Sequence, residues 1–232
     1  MTTGLPPRVT LFGHWICPYS VRVSFALAER RIRHDGIEVP PSAVRPEGFV
    51  VPTEFAEHSP KGEIPLVRLG DAYRADSLPI LEWLEECVPG RPLLPRDDRG
   101  RARVRERTEW IDAHVFPPMI GIYYGTRADR IARASEGLEA ALGTLGGWLD
   151  EGPWLAGDAP TLVEAAVVPV WVRLGALARL GFTGLVDPRV AAHVERCRGL
   201  QGWAQVAWTA AQADELVGRF ERLRARSTGD GG

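Results

Sequence analysis

The residues best suited to chemistry are the motif Cys-Pro-Tyr-Ser at positions 17–20, between a short apolar run and an amphipathic pattern. Residues 9–13 predict a buried strand because they are mostly β-branched or aromatic, and the apolar residues after Pro18 recur at helical spacing. Cys17 would then lie at a helix N-terminus, where unpaired N–H groups and the helix dipole favour the thiolate over the thiol. Cys17 is therefore a candidate nucleophile.

The alternative is that Cys17 is only a small buried hydrophobic residue, as most cysteines are. Cys87 and Cys197 fit that description, and we interpret both as structural. Cys17 differs because strand, cysteine, proline and helix follow in the order that redox thiol sites need. Ser20 stands where a redox pair has its second cysteine, so an external thiol must resolve any mixed disulfide. We predict a monothiol mechanism with a small thiol cosubstrate, although Ser20 could compete as nucleophile.

A second candidate element is Ile64-Pro65, which opens a strand predicted at 64–69. This position accepts a cis X-Pro bond. A cis bond would turn the N–H and C=O of Ile64 outward, free to pair with an extended peptide in an antiparallel manner. Alternatively, Pro65 only begins an edge strand. The sequence leaves both interpretations open.

The third element is Asp76-Ser77, directly before a predicted helix. We interpret Ser77 as the N-cap, whose hydroxyl and following N–H groups would bind a carboxylate, with Asp76 binding an ammonium. Plain helix capping is the alternative. Taken together, the three elements match the thiol, the peptide backbone and the γ-glutamyl end of the tripeptide glutathione.

Composition narrows the class of protein. The net charge of −2 and a pI near 6.2 give no electrostatic support for binding nucleic acid or an anionic membrane. No apolar run approaches the roughly 20 residues that span a bilayer. The start lacks the features of a secretion signal, and three scattered cysteines favour a reducing compartment. We predict a soluble cytoplasmic protein without a metal site.

The chain of 232 residues divides into two predicted domains. Residues 1–88 alternate strand and helix signals, residues 89–97 form a Pro-rich linker, and residues 98–232 are helical. In the first helix, Arg22, Glu29 and Arg30 fall outside the apolar stripe. Helices are predicted at 98–125 with a bend at Pro117-Pro118, 128–150, 162–180 with a kink at Pro169, 188–198, 200–211 and 214–226, followed by a disordered tail at 227–232.

These motifs resemble the cytosolic glutathione transferase family, and within it the cysteine-type omega and dehydroascorbate reductase branch. Residues 17–20 with Arg22 resemble the omega motif Cys-Pro-Phe-x-x-Arg. Residues 59–65 resemble Asn-Pro-x-Gly-x-Val-Pro, which carries the family's cis proline, and residues 76–80 are similar to Glu-Ser-x-x-Ile. Residues 89–95 resemble the family linker. In the helical domain, Thr161 and Glu164 resemble a capping box.

The resemblance implies an α/β thioredoxin-like N-terminal domain plus an all-α helical C-terminal domain, usually in a homodimer. It implies glutathione as cosubstrate, although another low-molecular-weight thiol such as mycothiol stays open. Cys17 would be catalytic, and a second substrate that is small and hydrophobic or electrophilic would bind near Trp15, Trp110, His114 and Tyr123. The implied glutathione-binding residues are Tyr19, Lys61, Ile64, Pro65, Asp76 and Ser77.

Three functions compete at this point. The first is a glutathione-dependent thiol transferase or reductase that uses the Cys17 thiolate. The second is an isomerase or conjugating enzyme of the related zeta type, in which serine stands where Cys17 sits and thiol addition to a cis-alkene is reversible. The third is a non-catalytic binding protein that retains the fold.

Overall fold

The computed structural model describes residues 8–184 and 186–229, and side chains as far as residue 226. It forms two compact units. The first contains Met1–Pro95 together with Leu200–Val206, and the second contains Arg96–Gly199 together with Ala207–Gly232. No helix in the described part of the chain is long and apolar enough to cross a membrane.

The first unit is built on a four-stranded sheet in the order β2-β1-β3-β4. β1 pairs in parallel with β2 and antiparallel with β3, and β3 continues antiparallel into β4. This is the arrangement of a thioredoxin-like domain, which confirms the predicted fold class. Its elements are β1 (Val9–Gly13), α1 (Pro18–Glu29), β2 (His34–Glu38), a 3-10 turn (Ser42–Val44), α2 (Thr53–His58), β3 (Leu66–Leu69), β4 (Ala72–Ala75), α3 (Ser77–Cys87) and α10 (Gln201–Val206).

The charged side chains of α1 and of its C-cap residue Arg30 are buried, contrary to what the sequence pattern predicts. Arg22, Glu29 and Arg30 are at most 3% exposed. Each has an internal partner that the pattern does not reveal: Arg22 donates to Ser77 at 3.1 Å, Glu29 accepts from Arg91 at 2.5 Å, and Arg30 pairs with Glu85 at 2.9 Å. Burial of a charge is tolerated only with such pairing.

The second unit is all-helical. Its elements are α4 (Asp98–His114), α5 (Phe116–Tyr124), α6 (Ala128–Trp148), α7 (Leu162–Trp171), α8 (Leu174–Arg179), α9 (Pro188–Arg198) and α11 (Ala210–Gly229). The Thr161 hydroxyl accepts from the N–H of Val163 and the Glu164 carboxylate accepts from the N–H of Thr161, so the predicted capping box is present.

Two helices predicted as continuous are each divided in two. The first breaks at Val115, because Pro117 and Pro118 cannot donate to the preceding turn and are tolerated only where a helix begins. The second contains Pro169 but ends two residues later, at Trp171. There Arg173 Nη1 donates to the carbonyl of Pro169 at 2.6 Å.

Residues near the C-terminus also differ from the prediction. Leu200–Val206 belongs to the first unit, whereas the sequence pattern places everything after residue 98 in the helical domain. The helix predicted at 200–211 ends at Val206, and α11 runs from Ala210 to Gly229, into the tail that we expect to be disordered. The rest of that tail, 230–232, and the start of the chain at 1–7 lie outside the described residues.

Candidate functional site

Cys17 is the N-cap of α1, and Pro18 is the first helical residue, as the sequence predicts. Its backbone is extended, its N–H donates to His14 O at 3.1 Å, and its C=O accepts from Val21 at 3.0 Å. Cys17 is buried, with only 7% of the residue exposed. The loop and the helix together hold the thiol at the positive end of α1.

The Cys17 sulfur faces the backbone of Ile64. The Ile64–Pro65 peptide bond is cis, and the Sγ–H of Cys17 donates to the carbonyl oxygen of Ile64 at 3.8 Å. Both residues belong to an apolar cluster with Phe12, Val39, Phe55 and Leu66. Strand β3 begins directly after Pro65, so the rigid sheet fixes the position of the Ile64 carbonyl beside the thiol.

The side chain of His14 braces the loop before Cys17. Its Nδ1 accepts from the N–H of Ile16 at 3.1 Å, and its Nε2 lies 3.1 Å from Glu38 Oε1. Because Nδ1 accepts a hydrogen bond and Nε2 faces a carboxylate, the imidazole is the neutral tautomer with its proton on Nε2. The imidazole therefore ties the loop to the end of β2, a contact that the sequence motif did not reveal.

Asp76 and Ser77 lie at the start of α3, but their roles are shifted by one residue. Asp76 is the N-cap and Ser77 is the first helical residue, whereas the sequence pattern makes Ser77 the cap. Asp76 has a φ of 66°, in the left-handed region that a residue with a Cβ adopts at a cost. Its exposed carboxylate makes no capping bond to its own helix. Backbone outliers of this kind cluster at ligand sites.

A buried arginine reaches Ser77 from α1. Arg22 is fully buried, and its Nη1 donates to Ser77 Oγ at 3.1 Å. The hydroxyl oxygen is thus used as an acceptor, which leaves the hydroxyl proton available to donate outward. The Arg22 spacing is visible in the sequence motif, but its partner, 55 positions away, is not.

The remaining two predicted glutathione residues, Tyr19 and Lys61, belong to the same unit. Tyr19 is half-buried against the apolar cluster, and the Arg22 guanidinium lies 5.3 Å from its ring centroid. Lys61 is exposed in a turn whose Gly62 has a φ of 65°.

Ser20 is 2% exposed beside Gly13, and its hydroxyl has no partner in the part of the chain that the structure describes. Such burial does not suit a nucleophile.

The residues predicted to bind a second substrate are divided between the two units. Trp15 belongs to the first unit and stacks on His14 with ring centroids 5.6 Å apart. In the second unit, Trp110 and His114 stack at 4.5 Å, one turn apart on α4. Tyr123 is 5% exposed and stacks on Phe220 at 4.9 Å, and desolvation by burial raises the pKa of its phenol.

Two family models match the chain. The model for the glutathione S-transferase N-terminal domain matches residues 16–87, and the model for the C-terminal domain of the same family matches residues 126–205. The first match begins one residue before Cys17 and ends with α3, so it includes every element of the candidate thiol site described above except the His14 brace and strand β1.

Relatives with two different names are similar to the chain. Probable maleylacetoacetate isomerase 2 of Drosophila melanogaster is 28% identical over 73% of this chain and 78% of that protein. Glutathione S-transferase omega-1 of Mus musculus is 26% identical over 73% of this chain and 68% of that protein. The solved structure of rice GST1 in complex with glutathione superimposes with a TM-score of 0.81 at 19% identity, covering 96% of this chain and 99% of that one.

Proposed function

The chain belongs to the glutathione S-transferase family, and we propose that it is a glutathione-dependent thiol transferase with Cys17 as its nucleophile. Glutathione is the cosubstrate of this family. The observation that carries the proposal is the position of the Cys17 sulfur, at the N-terminus of α1 and 3.8 Å from the Ile64 carbonyl. The other cysteines of the described residues are Cys87, on the surface at the end of α3, and Cys197, buried in the second unit.

Glutathione would bind along the edge formed by Ile64 and α3. The backbone of Ile64 would pair with the cysteinyl residue of glutathione, in the manner of an added strand. Ser77 would donate its hydroxyl proton to the γ-glutamyl carboxylate, because Arg22 already occupies the hydroxyl oxygen. Asp76 would bind the ammonium of the same γ-glutamyl group. Lys61 would lie towards the glycine carboxylate.

The reaction would proceed in two thiol–disulfide exchanges. The Cys17 thiolate attacks the glutathione sulfur of a mixed disulfide, forms a Cys17–glutathione disulfide, and releases the substrate as a thiolate that takes a proton from water. A second glutathione, as its thiolate, attacks the glutathione sulfur of that disulfide. Glutathione disulfide leaves and the Cys17 thiolate is regenerated. Because no second cysteine lies in the motif, the external thiol is required.

A second candidate function is isomerisation of a cis-alkene such as maleylacetoacetate. The isomerase relative, 28% identical over 73% of the chain, favours it. In this reaction glutathione adds through its sulfur to the double bond, the new single bond rotates, and the thiol is eliminated unchanged. Cys17 would then only hold the glutathione sulfur, a role that a serine hydroxyl also performs.

Substitution at Cys17 separates the two functions. The variants Cys17→Ala and Cys17→Ser would be assayed for reduction of a glutathione mixed disulfide and for isomerisation of maleylacetoacetate. Thiol transfer predicts that both variants lose the reductase activity and that intact mass shows one glutathione attached to the wild-type protein only. Isomerisation predicts that Cys17→Ser keeps most of its activity.

The exposed Cys87 provides the matched control. Cys87→Ala should keep both the reductase activity and the glutathione adduct, since this thiol lies at the end of α3 and outside the site. Full reductase activity in Cys17→Ala would overturn the assignment of the nucleophile. Absence of glutathione binding by calorimetry would favour a different thiol, such as mycothiol, or a binding protein without turnover.

A further inference from the structure

A basic groove lies in the first unit at the end of the sheet where β1 and β2 begin. Its volume is about 850 Å³, within the range of small-molecule sites. Cys17 follows the opposite end of β1, so the groove is separate from the thiol site. Seven polar residues frame it: Arg8, Arg31, Arg33, His34, Asp35, Gln201 and Gln205.

The groove carries excess positive charge although the whole chain has a net charge of −2. Asp35 is its only acidic residue, and Arg8 pairs with that carboxylate. The hydrogen bond from Arg8 lowers the pKa of Asp35, so the pair remains ionised and neutral overall. The charges of Arg31 and Arg33 are not neutralised by an acidic residue of the groove, and the Arg33 side chain has no hydrogen-bond or ion-pair partner in residues 8–184 and 186–229.

Arg31 occupies a backbone position that glycine normally fills. It follows the C-terminus of α1 with a φ of 60°, where the N–H of Ile32 donates back to Leu27 O at 2.8 Å. A residue with a Cβ is strained in this left-handed conformation, which is why glycine is favoured there. The strained residue is an arginine whose side chain lines the groove and whose Nε donates to Gln201 Oε1 at 3.2 Å.

The chemistry of the groove fits phosphate. A guanidinium presents paired N–H groups that match two phosphate oxygens, and two nearby guanidinium groups match a diphosphate. Gln201 and Gln205 lie one turn apart on α10 and add amide donors. Ala28 and Ile32 are the apolar residues that line the groove. We propose that this groove binds a small phosphorylated molecule, with Arg31 and Arg33 on its phosphate groups.

Calorimetry on the full chain tests the site with two probes, inorganic pyrophosphate and ADP. Equal affinities identify the phosphate groups alone as the ligand feature, and tighter binding of ADP shows that the groove also accepts a nucleoside. Affinity for both should fall as salt rises, because exposed charges are screened. Binding should persist in the presence of saturating glutathione.

Arg31→Gly is the informative variant, because glycine relieves the backbone strain while removing the guanidinium. It should be at least as stable as the wild type and bind both probes about tenfold more weakly or worse, and Arg33→Gln should weaken binding similarly. Arg99→Gln, an exposed arginine of the second unit, is the charge-matched control and should bind as the wild type does. Failure of both probes to bind at millimolar concentration, or unchanged binding in Arg31→Gly and Arg33→Gln, would overturn the proposal.

Discussion

Arg22 Nη1 donates to Ser77 Oγ at 3.1 Å, and this hydrogen bond joins the helix that follows Cys17 to the first turn of α3. Arg22 is fully buried and Ser77 is 7% exposed, so water competes little with the contact. The thiol and the proposed γ-glutamyl site are thus held by one internal contact as well as by the sheet. A change at either residue is expected to affect glutathione binding.

Ser77→Ala should weaken both stability and glutathione binding. The variant leaves a buried guanidinium without one acceptor, which lowers the free energy of unfolding by about 1–3 kcal/mol. The KM for glutathione should rise while kcat changes less, because the lost hydroxyl binds the cosubstrate. Ser20→Ala is the matched control: its buried hydroxyl has no partner among the described residues, so both quantities should stay near wild type. A normal KM in Ser77→Ala would remove Ser77 from the proposed site.

His14→Ala should slow the chemistry of Cys17 without unfolding the protein. The variant deprives the Ile16 N–H of its acceptor, 3.1 Å away, and frees the loop that holds the thiol. The lost hydrogen bond is worth about 1 kcal/mol, which is several-fold in an equilibrium constant. Because the loop then holds the thiol less firmly at the N-terminus of α1, we expect alkylation of Cys17 by iodoacetamide to be several-fold slower. Glu38→Gln keeps an acceptor for Nε2 and should react at nearly the wild-type rate. Equal rates in all three proteins would show that the brace does not position the thiol.

Glu164→Gln should destabilise the helical unit more than loss of the cap hydroxyl does. Glu164 is fully buried and accepts from the N–H of Leu155 at 2.8 Å as well as from the N–H of Thr161 at 2.6 Å. An amide replaces one acceptor oxygen by a donor, so we expect a loss of about 2–4 kcal/mol in urea unfolding. Thr161→Ala should cost about 1 kcal/mol. Equal losses would mean that Glu164 acts only as part of the capping box.

Tyr123→Phe tests whether Tyr123 contributes to a second-substrate pocket. The hydroxyl is buried with no partner in the described chain, so its removal should leave stability unchanged or raised and activity unchanged. The raised pKa of Tyr123 also predicts that its phenol stays protonated where ordinary tyrosines ionise, near pH 10. Absorbance titration of wild type and variant should therefore coincide up to about pH 11. Reduced turnover in the variant would show instead that the Tyr123 hydroxyl contributes to a second-substrate pocket.

Asp187 predicts an acid-dependent contribution to stability. A side-chain hydrogen bond from Arg189 lowers its pKa to about 2, below the ordinary value of about 3.9. The folded state therefore favours the carboxylate, which stabilises the protein above about pH 4 and is lost as pH falls towards 2. Asp187→Asn should be less stable than wild type at pH 7, and the difference should disappear near pH 2. A difference that is constant with pH would contradict the ion pair.

Local patterns predicted the elements of the site, and distant partners could not be predicted from them. The order strand, Cys17, Pro18, helix is written in adjacent residues, and so is the Thr161 and Glu164 capping box. Arg22, Glu29 and Arg30 look like a polar face because periodicity registers polarity and not pairing. Their partners lie 55 to 173 positions away, too far for any local signal.

Helix breaks show a second physical limit. Proline marks where a helix is weakened, but the chain ends a helix wherever its backbone groups find other partners. Thus α4 ends before Pro117, whereas α7 contains Pro169 and ends at Trp171. The family prediction is confirmed, while the cysteine branch and the roles of the site residues stay predictions, because a fold shared at 19% identity does not specify chemistry.

The contact between α1 and α10 sets the order in which the first unit is completed during synthesis. Glu29 Oε2 accepts from the N–H of Gly202 at 3.0 Å, and a Cβ at position 202 would lie 2.6 Å from Phe25 O. A nascent chain has all four strands long before residue 202 emerges from the ribosome. Until then the Glu29 carboxylate lacks the Gly202 N–H as a donor, and Phe25 lacks its contact with α10. A fragment ending at Pro95 lacks the same helix, so an isolated first unit should be built with α10 attached.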